Sequence, residues 1–186
     1  MRTSRSLGLV VIVLLLTLTP AAAAAAPSHI RSTSPELRAL IDAGIDRSPT
    51  FHDLVQQLEA SDVVVYVSFG SFSNPGIAGK IQFIAAAGGS RYLQIVVAHL
   101  PDPSGLAILG HELRHAAEIA ATPSVVDNDS LARCYARIGF RVLPETDRFD
   151  TSSAVEYGRR VLMEAFRTCA DGRRASPGRR TPRPIP

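Results

Sequence analysis

Cysteine is scarce in this chain, and its scarcity excludes a fold held together by disulfides. Two of the 186 residues are cysteine, Cys134 and Cys169, whereas small disulfide scaffolds are dense in them. A chain of this length can instead bury a core of ordinary size, and one domain is expected. Both cysteines fall on apolar stripes of predicted helices. They could pair in an oxidising compartment, or remain two buried free thiols.

The chain also lacks an apolar run of the ~20 residues that a membrane-spanning helix needs. Its strongest run, Leu7 to Leu18, follows Arg2 and Arg5 and precedes an alanine tract with several A-x-A cleavage sites. This pattern is typical of a secretory signal, and a permanent membrane anchor is the alternative. No cysteine stands directly after the run, which argues against a lipoprotein anchor. We therefore expect residues 1–26 to be a signal peptide and the mature protein to be secreted or periplasmic, without a stable membrane anchor.

A basic stripe interleaved with aromatic residues is missing as well. The formal charge of +3 at pH 7 comes from the two ends of the chain. Arg2 and Arg5 belong to the predicted signal, and residues 171–186 hold five arginines against one aspartate. The body between them is therefore mildly acidic, and no nucleic-acid partner is expected. Residues 171–186, rich in Pro, Gly and Arg, lack apolar residues to pack and are expected to form a disordered basic tail.

Capping signals and apolar runs predict two helices followed by a sheet. Serine–proline pairs that begin at Ser34 and Ser48 are typical helix starts, each followed by apolar residues at helical spacing. The run "DVVVYVSFG" predicts a buried central strand. The segment "KIQFIA" alternates like a more exposed strand, and Gly88-Gly89 predicts a hairpin into "RYLQIVV". We expect a small, largely antiparallel sheet.

Three more helices are predicted after the sheet. Ser104 is expected to cap the first of them, and residues 128–138 form the second. The third is expected to start near Ser153, because Ser153 and Glu156 fit a capping box. The order of helices, sheet and helices, without an internal repeat, predicts a single α+β domain over residues 27–170.

One stretch, "GHELRHAAEIA" from Gly110 to Ala120, carries the residues that bear most on function. At about 100° per residue, His111 and His115 lie on adjacent turns of a helix, so both imidazoles can reach one ion from the same side. Glu112 lies further round, where it can accept a proton from water on the metal rather than bind the metal. The ion would lower the pKa of that water and polarise a substrate carbonyl. The spacing therefore matches metal-assisted hydrolysis.

The remainder of this helix is apolar nearly all round, which is typical of a helix at the centre of a fold. The residues opposite the histidines are Leu106, Leu109, Leu113, Ala116, Ala117 and Ala120. Buried imidazole and carboxylate groups without partners cost ~1–3 kcal/mol each. A metal ion with supporting hydrogen bonds would offset this cost. An ordinary buried helix that contains two histidines is the alternative.

The H-E-x-x-H pattern of His111, Glu112 and His115 resembles the zincin metallopeptidases, in which a small twisted sheet precedes a helix with this motif. The resemblance implies a zinc-dependent hydrolase, with the two histidines as zinc ligands and Glu112 as general base. It also implies that a peptide substrate lies along an edge strand of the sheet, here "KIQFIA" or "RYLQIVV". The chain departs from the metzincin pattern, because no third histidine follows and no glycine breaks the helix after His115.

A catalytic zinc also needs a third protein ligand and an open position. Glu118 shares the histidine face but lies ~4.5 Å beyond His115 along the helix axis, so we expect it to orient His115 or to pair with an arginine. Asp150, at a loop-to-helix junction after Phe149, is the predicted ligand, and an N-cap role is its alternative. Glu156 is the second candidate. The other downstream carboxylates are Glu145, Asp147 and Glu164.

Two more histidines and one loop leave alternatives open. His99 comes just before the motif helix and is either a ligand or substrate contact, or a solvated loop residue. His52 is expected at the surface of the second helix. The loop from Ser71 to Gly79 either covers the cleft or merely connects two strands.

These residues together predict a secreted, zincin-like zinc hydrolase that acts on a peptide or protein substrate, as a metallopeptidase would. An amidase or a cell-wall peptide hydrolase would use the same site. The alternative from another class is a catalytically inactive zincin-like envelope protein, which would act as a binding module through its sheet edge or its basic tail.

Overall fold

The computed structural model describes residues 28–142 and 148–174, with side chains as far as residue 168. It confirms the α+β class. The predicted signal peptide, most of the predicted basic tail, and the candidates Glu145 and Asp147 lie outside the described residues. No helix within the described ranges is long and apolar enough to cross a bilayer.

Two capped helices open the fold, as the serine–proline pairs predict. A short strand, β1 (Ile30–Arg31), precedes α1 (Pro35–Arg47) and α2 (Pro49–Glu59). The side chains of Ser34 and Ser48 each accept a hydrogen bond from a backbone N–H of the first helical turn, and a proline follows each of them in the first helical positions. Both helix starts are therefore confirmed.

The sheet is mixed, which corrects the expectation of a largely antiparallel one. Its strands are β2 (Val63–Phe69), β3 (Gly79–Ala87) and β4 (Ser90–Val97), in the order β1-β2-β4-β3. The pairs β1 with β2 and β2 with β4 are parallel, and only β3 with β4 is antiparallel. The chain passes from β2 to the far edge before it turns back, so β4 enters the sheet beside β2 in the same direction. The apolar runs alone do not encode this order.

The predicted hairpin between β3 and β4 is confirmed. Gly88 and Gly89 connect the two strands with φ values of 59° and 80°, a region that other L-residues rarely adopt. Because β4 lies between β2 and β3, the segment "RYLQIVV" is a central strand and has no free edge. The segment "KIQFIA" belongs to β3, which is an edge strand of the sheet, opposite β1.

Three helices follow the sheet, with a small two-stranded ladder between the second and the third. They are α3 (Ser104–Ala120), α4 (Asn128–Ile138) and α5 (Ser152–Arg174), and the ladder pairs β5 (Phe140–Arg141) with β6 (Phe149–Asp150). The helix α3 is the centre of the core, packed between the sheet and α5. Its fully buried side chains are Leu106, Leu109, Leu113, Ala116, Ala117 and Ile119.

Two predicted helix caps are wrong. Pro103 occupies the cap position of α3 and Ser104 is the first helical residue. The capping box of Ser153 and Glu156 does not form, because α5 starts earlier, at Ser152. Thr151 is its cap instead, and its Oγ1 accepts a hydrogen bond of 3.0 Å from the backbone N–H of Ala154.

The last helix continues to Arg174, four residues beyond the predicted domain boundary at residue 170. Cys134 is buried on α4, and its thiol forms no disulfide among the described side chains. The side chain of Cys169 lies outside the described residues, and so does a disulfide that would involve it.

Candidate metal centre

The two histidines of α3 and a carboxylate from outside this helix converge on one point. The imidazole rings of His111 and His115 are 4.9 Å apart between centroids. Oδ1 of Asp150 lies 3.3 Å from Nε2 of each histidine. The structure therefore brings together the three residues that the sequence predicts as metal ligands.

Asp150 is held in place by its position between two secondary-structure elements. It is the last residue of β6, paired with Phe140 of β5, and it directly precedes the cap of α5. The backbone N–H of Thr151 donates a 2.6 Å hydrogen bond to its Oδ1. The neighbouring Phe149 packs against the core. The carboxylate is thus fixed by a strand, a helix start and an anchored aromatic residue.

Two of the three donor separations match those around a tetrahedral divalent metal. Ligands at about 2.0–2.1 Å from a tetrahedral ion are about 3.3 Å from one another, which equals the separation of Asp150 Oδ1 from both imidazole nitrogens. All three ligand atoms lie within 4.8 Å of one another. Two imidazoles and one carboxylate are a ligand set that zinc accepts in catalytic sites, where the fourth position stays open. The cluster could therefore hold a metal ion.

Glu118 supports the centre from behind His115, as its place on the helix predicts. Its Oε2 lies 3.1 Å from Nδ1 of His115, the ring nitrogen that faces away from Asp150. Its Oε1 accepts a 2.8 Å hydrogen bond from Oγ1 of Thr151 and lies 3.7 Å from Nε of Arg114. Both contacts that the sequence left open for Glu118, one with His115 and one with an arginine, are present. A carboxylate there orients the ring and makes Nε2 a better ligand.

Burial and charge act in opposite directions on the ionisable groups of the centre. Burial lowers the pKa of His115, but hydrogen bonds to Asp150 and Glu118 outweigh it and raise the pKa to about 9. Burial raises the pKa of Asp150, and the hydrogen bonds from His111 and His115 outweigh it and hold this pKa far below its usual range. The opposite shifts of these two pKa values reflect the attraction between Asp150 and His115.

Glu112 points into the same cleft from the neighbouring position on α3. Its side chain is 5% exposed, and within the described part of the chain its carboxylate accepts no hydrogen bond. Burial raises its pKa, while the nearby His115 and His111 lower it less strongly. It packs directly against Gly79, where an added Cβ would lie 2.8 Å from Cγ and Cδ of Glu112. The bare backbone at residue 79 thus makes room for this carboxylate.

A cleft of about 660 Å³ lies in front of the centre. Its walls are the loop of residues 71–78, the first residues of β3, the cleft-facing side of α3, and parts of α4 and β6. The loop from Ser71 to Gly79, for which the sequence left two alternatives, does line the cleft. Its position means that the loop could shield a bound ligand from solvent.

Tyr135 is a contact of the centre that the sequence does not single out. Its hydroxyl donates a 3.1 Å hydrogen bond to the backbone oxygen of His115, and its ring packs edge-on against the His115 ring at 5.1 Å. Burial raises the pKa of Tyr135, so it stays a neutral hydroxyl. Its position on the apolar stripe of α4 predicts only a core residue. The sequence gives no signal for its hydrogen bond.

The other predicted candidates lie away from the centre. Glu156 is bound by Arg159 on the surface of α5, and Glu164 accepts hydrogen bonds from Ser48 and Thr50. His99 is exposed, and its Nε2 lies 2.5 Å from Oε1 of Glu36. His52 is exposed on α2, as expected, and contacts Gln56.

Protein-family models, curated proteins and solved structures gave no match to this chain. The site is therefore described by its own geometry. It is a histidine–histidine–aspartate cluster beside Glu112, whose carboxylate accepts no hydrogen bond from the described residues.

Proposed function

We propose that this protein is a zincin-like, zinc-dependent hydrolase that cleaves peptide bonds. The observation that carries the proposal is the position of Asp150 Oδ1, 3.3 Å from Nε2 of both His111 and His115, next to the buried carboxylate of Glu112. Three ligands and a general base are the parts that such a site requires. The short motif alone supplies only two of those ligands.

A zinc ion at this site would supply a Lewis acid that lowers the pKa of water and polarises a carbonyl. The chain supplies the rest. His111, His115 and Asp150 hold the ion from one side, and Glu118 fixes the ring of His115. Glu112 lies in the cleft with no competing hydrogen bond from the described residues, so its carboxylate is free to accept a proton from water and to pass it to a leaving amine.

A peptide substrate would add a strand to the outer edge of β3, the edge that faces away from β4. No strand of the described residues pairs with this edge, and Gly79, Lys80 and Ile81 line the cleft. Strand addition supplies backbone hydrogen bonds irrespective of side chains. It would carry a peptide bond past Glu112, because Glu112 packs against Gly79.

The first experiment measures bound metal and hydrolysis on protein purified without a histidine tag. We expect about one zinc per chain and hydrolysis of casein or a peptide mixture that stops when Glu112→Gln replaces the wild type. Because Glu112 does not bind the metal in this proposal, the variant should keep its zinc. The two readouts therefore separate loss of the base from loss of the ion.

The same experiment tests the alternative functions. Stoichiometric zinc without Glu112-dependent cleavage of any peptide would favour an inactive binding module of zincin-like architecture. Cleavage of cell-wall peptides or simple amides, with casein left intact, would keep the mechanism and change the substrate. Absence of zinc at any concentration tried would overturn the proposal.

Secretion is proposed on the N-terminal sequence alone. The expected result is a mature protein that begins near residue 27, found outside the cytoplasm. The mass of the protein recovered from culture medium or periplasm would measure this.

A further inference from the structure

The outer edge of β3 is closed at one end by a side chain from α4. Asn128 accepts a 3.2 Å hydrogen bond from the backbone N–H of Phe83 on its Oδ1, and its Nδ2 donates a 3.2 Å hydrogen bond to the backbone oxygen of Phe83. A carboxamide that bonds both groups of one residue imitates the peptide group of a neighbouring strand. The Asn128 carboxamide thus already occupies the N–H and C=O groups of Phe83 at this position of the edge.

The hydrogen-bonding pattern of β3 shows which other residues direct their backbone N–H and C=O groups towards that outer edge. In an antiparallel ladder, residues whose N–H and C=O face the partner strand alternate with residues whose groups face away. The oxygen of Ala78 accepts a hydrogen bond from the N–H of Ala98, so it faces β4. Phe83 faces away, towards Asn128. Gly79 and Ile81 have the same parity as Phe83 within an unbroken register, so their N–H and C=O groups face the cleft.

The regular edge also ends at Phe83 for a second reason. The register of β3 against β4 shifts between Phe83 and Ala85, so a bulge at Ile84 bends the strand directly beyond the Asn128 contact. Two independent features, the bulge and the asparagine, therefore stop strand pairing at the same residue. The edge left free runs from Gly79 to Gln82.

The length of the free edge limits the number of extended peptide residues that can pair with it. Glu112 packs against Gly79 at one end, and Asn128 bonds to Phe83 at the other. Four residues of antiparallel strand span about 14 Å. A bound peptide would use the outward groups of Gly79 and Ile81 and would then meet the Asn128 carboxamide. This leaves room for about three extended residues on that side of the base.

We propose that Asn128 is a specificity-determining residue, which closes the outer edge of β3 and limits the extended part of a bound peptide to about three residues beyond Glu112. This inference rests on the proposed peptide binding in the cleft and adds its length limit. The preferred substrate is then a peptide with a free end, or a turn, at that distance from the cleaved bond. Long, uniformly extended chains are disfavoured.

The test measures the binding of peptides of increasing length to the Glu112→Gln variant, so that the peptides are not cleaved during the measurement. The probes are fluorescein-labelled, blocked (Thr-Val)n peptides, lengthened two residues at a time because one strand face repeats every two residues. Fluorescence anisotropy gives the Kd of each peptide for zinc-loaded protein with Asn128, and for the same protein with Asn128→Ala. The matched control is Asp129→Ala, an exposed residue in the same helical turn.

With Asn128, we expect the Kd to fall with length and then to stay constant once the edge from Gly79 to Gln82 is filled. With Asn128→Ala, the next added pair of residues should tighten binding by about fivefold to tenfold, because the N–H and C=O of Phe83 become available. Asp129→Ala should reproduce the plateau of the parent protein. A purely structural role of Asn128 would lower the thermal stability without moving the plateau.

Two results would overturn this inference. One is a Kd that stops falling at the same peptide length with Asn128 and with Asn128→Ala. The other is that no peptide of the series binds to either protein. Failure of the proposed hydrolysis is distinguishable from both. A length profile that changes with Asn128, in a protein that shows no Glu112-dependent cleavage, would overturn the hydrolysis and leave the length limit standing.

Discussion

Thr151 donates a hydrogen bond of 2.8 Å from its Oγ1 to Oε1 of Glu118. The same hydroxyl accepts the backbone N–H of Ala154 and so caps α5. Glu118 in turn bonds Nδ1 of His115 with its other oxygen. Since Thr151 directly follows Asp150, this pair connects the helix that carries two candidate ligands to the segment that carries the third. The contacts of Glu118 with His115 and Thr151 therefore help to fix the relative positions of the three candidate ligands.

Glu118→Gln should weaken zinc binding. The carboxylate serves His115 and Thr151 with one oxygen each, whereas a glutamine has a single acceptor oxygen and no charge to make the His115 ring more basic. We expect the Kd for zinc to rise by about 10–100-fold, as for other residues that support metal-binding histidines. Competition against a chromogenic chelator measures this Kd.

Glu156→Gln is the matched control for this measurement. Glu156 is a half-exposed carboxylate on α5 that pairs with Arg159, away from the metal centre, so its loss should leave the Kd for zinc unchanged. Equal zinc affinity in Glu118→Gln and the wild type, with both proteins folded, would show that Glu118 does not act through His115.

Asp150→Asn should abolish the stabilisation that zinc confers. An amide is a poor zinc ligand, and two imidazoles alone would leave the ion weakly held. In the wild type, zinc at about 1,000 times its Kd should stabilise the fold by about 4 kcal/mol, which raises Tm by roughly 10 °C for a domain of this size. Differential scanning calorimetry with and without zinc measures the shift.

The control for that prediction is Asp53→Asn, an exposed residue on α2, which should keep the full zinc-dependent rise in Tm. An equal rise in Asp150→Asn would exclude Asp150 as a ligand. It would also remove the observation on which the proposed function depends.

The helical part of the site was predictable because its information is local. The spacing of His111 and His115 fixes their relation on one helix, and the rise per residue places Glu118 beside His115. Asp150 was favoured among the downstream carboxylates because of its neighbours in the sequence. A polar residue between an aromatic anchor and a helix start tends to be held rigidly. Two short-range features therefore pointed to the three residues that the structure brings together, although Glu156 and other carboxylates remained candidates.

The sheet order and the cleft contacts were not predictable, because they depend on residues far apart in the chain. Nothing in the apolar runs shows that β4 inserts between β2 and β3, which made the expectation of a largely antiparallel sheet wrong. The contact of Gly79 with Glu112 joins a strand start to a helix over thirty positions later. The bond of Asn128 to Phe83 likewise has no local signature.

Gly79→Ala should impair hydrolysis while it leaves the metal in place. A methyl group there would lie 2.8 Å from Cγ and Cδ of Glu112, closer than carbon atoms approach, so the glutamate side chain must move. A displacement of about 1 Å from the position of a reacting group can cost about 100-fold in rate. We expect kcat to fall by about that factor on a chromogenic peptide, with zinc content unchanged.

Gly76→Ala provides the comparison for this variant. Gly76 lies in the same cleft-lining loop, but an added Cβ there would meet only Oδ1 of Asn74, at 3.2 Å. Its kcat should stay close to that of the wild type. If Gly79→Ala retained full activity, the carboxylate of Glu112 would not be required at the position that the structure gives it.

Glu164→Gln should lower stability at neutral pH and much less in acid. Glu164 accepts hydrogen bonds from Oγ of Ser48 at 2.6 Å and Oγ1 of Thr50 at 2.8 Å, so it ties α5 to the start of α2. Burial raises the pKa of Glu164, but these hydrogen bonds outweigh it and hold the pKa below its usual value. A carboxyl group whose pKa is lower in the folded state stabilises the protein above its unfolded pKa, and this contribution disappears as pH falls through the folded pKa.

We therefore expect the wild type to exceed Glu164→Gln by about 1–3 kcal/mol in free energy of unfolding at pH ~7, the usual worth of hydrogen bonds to a charged group. The difference should shrink below pH ~4, where the carboxyl group becomes protonated. Urea unfolding at both pH values, in the presence of a chelator so that metal binding does not contribute, measures it. A difference that stays constant across this range would mean that the charge of Glu164 is irrelevant and that only its shape joins α5 to α2.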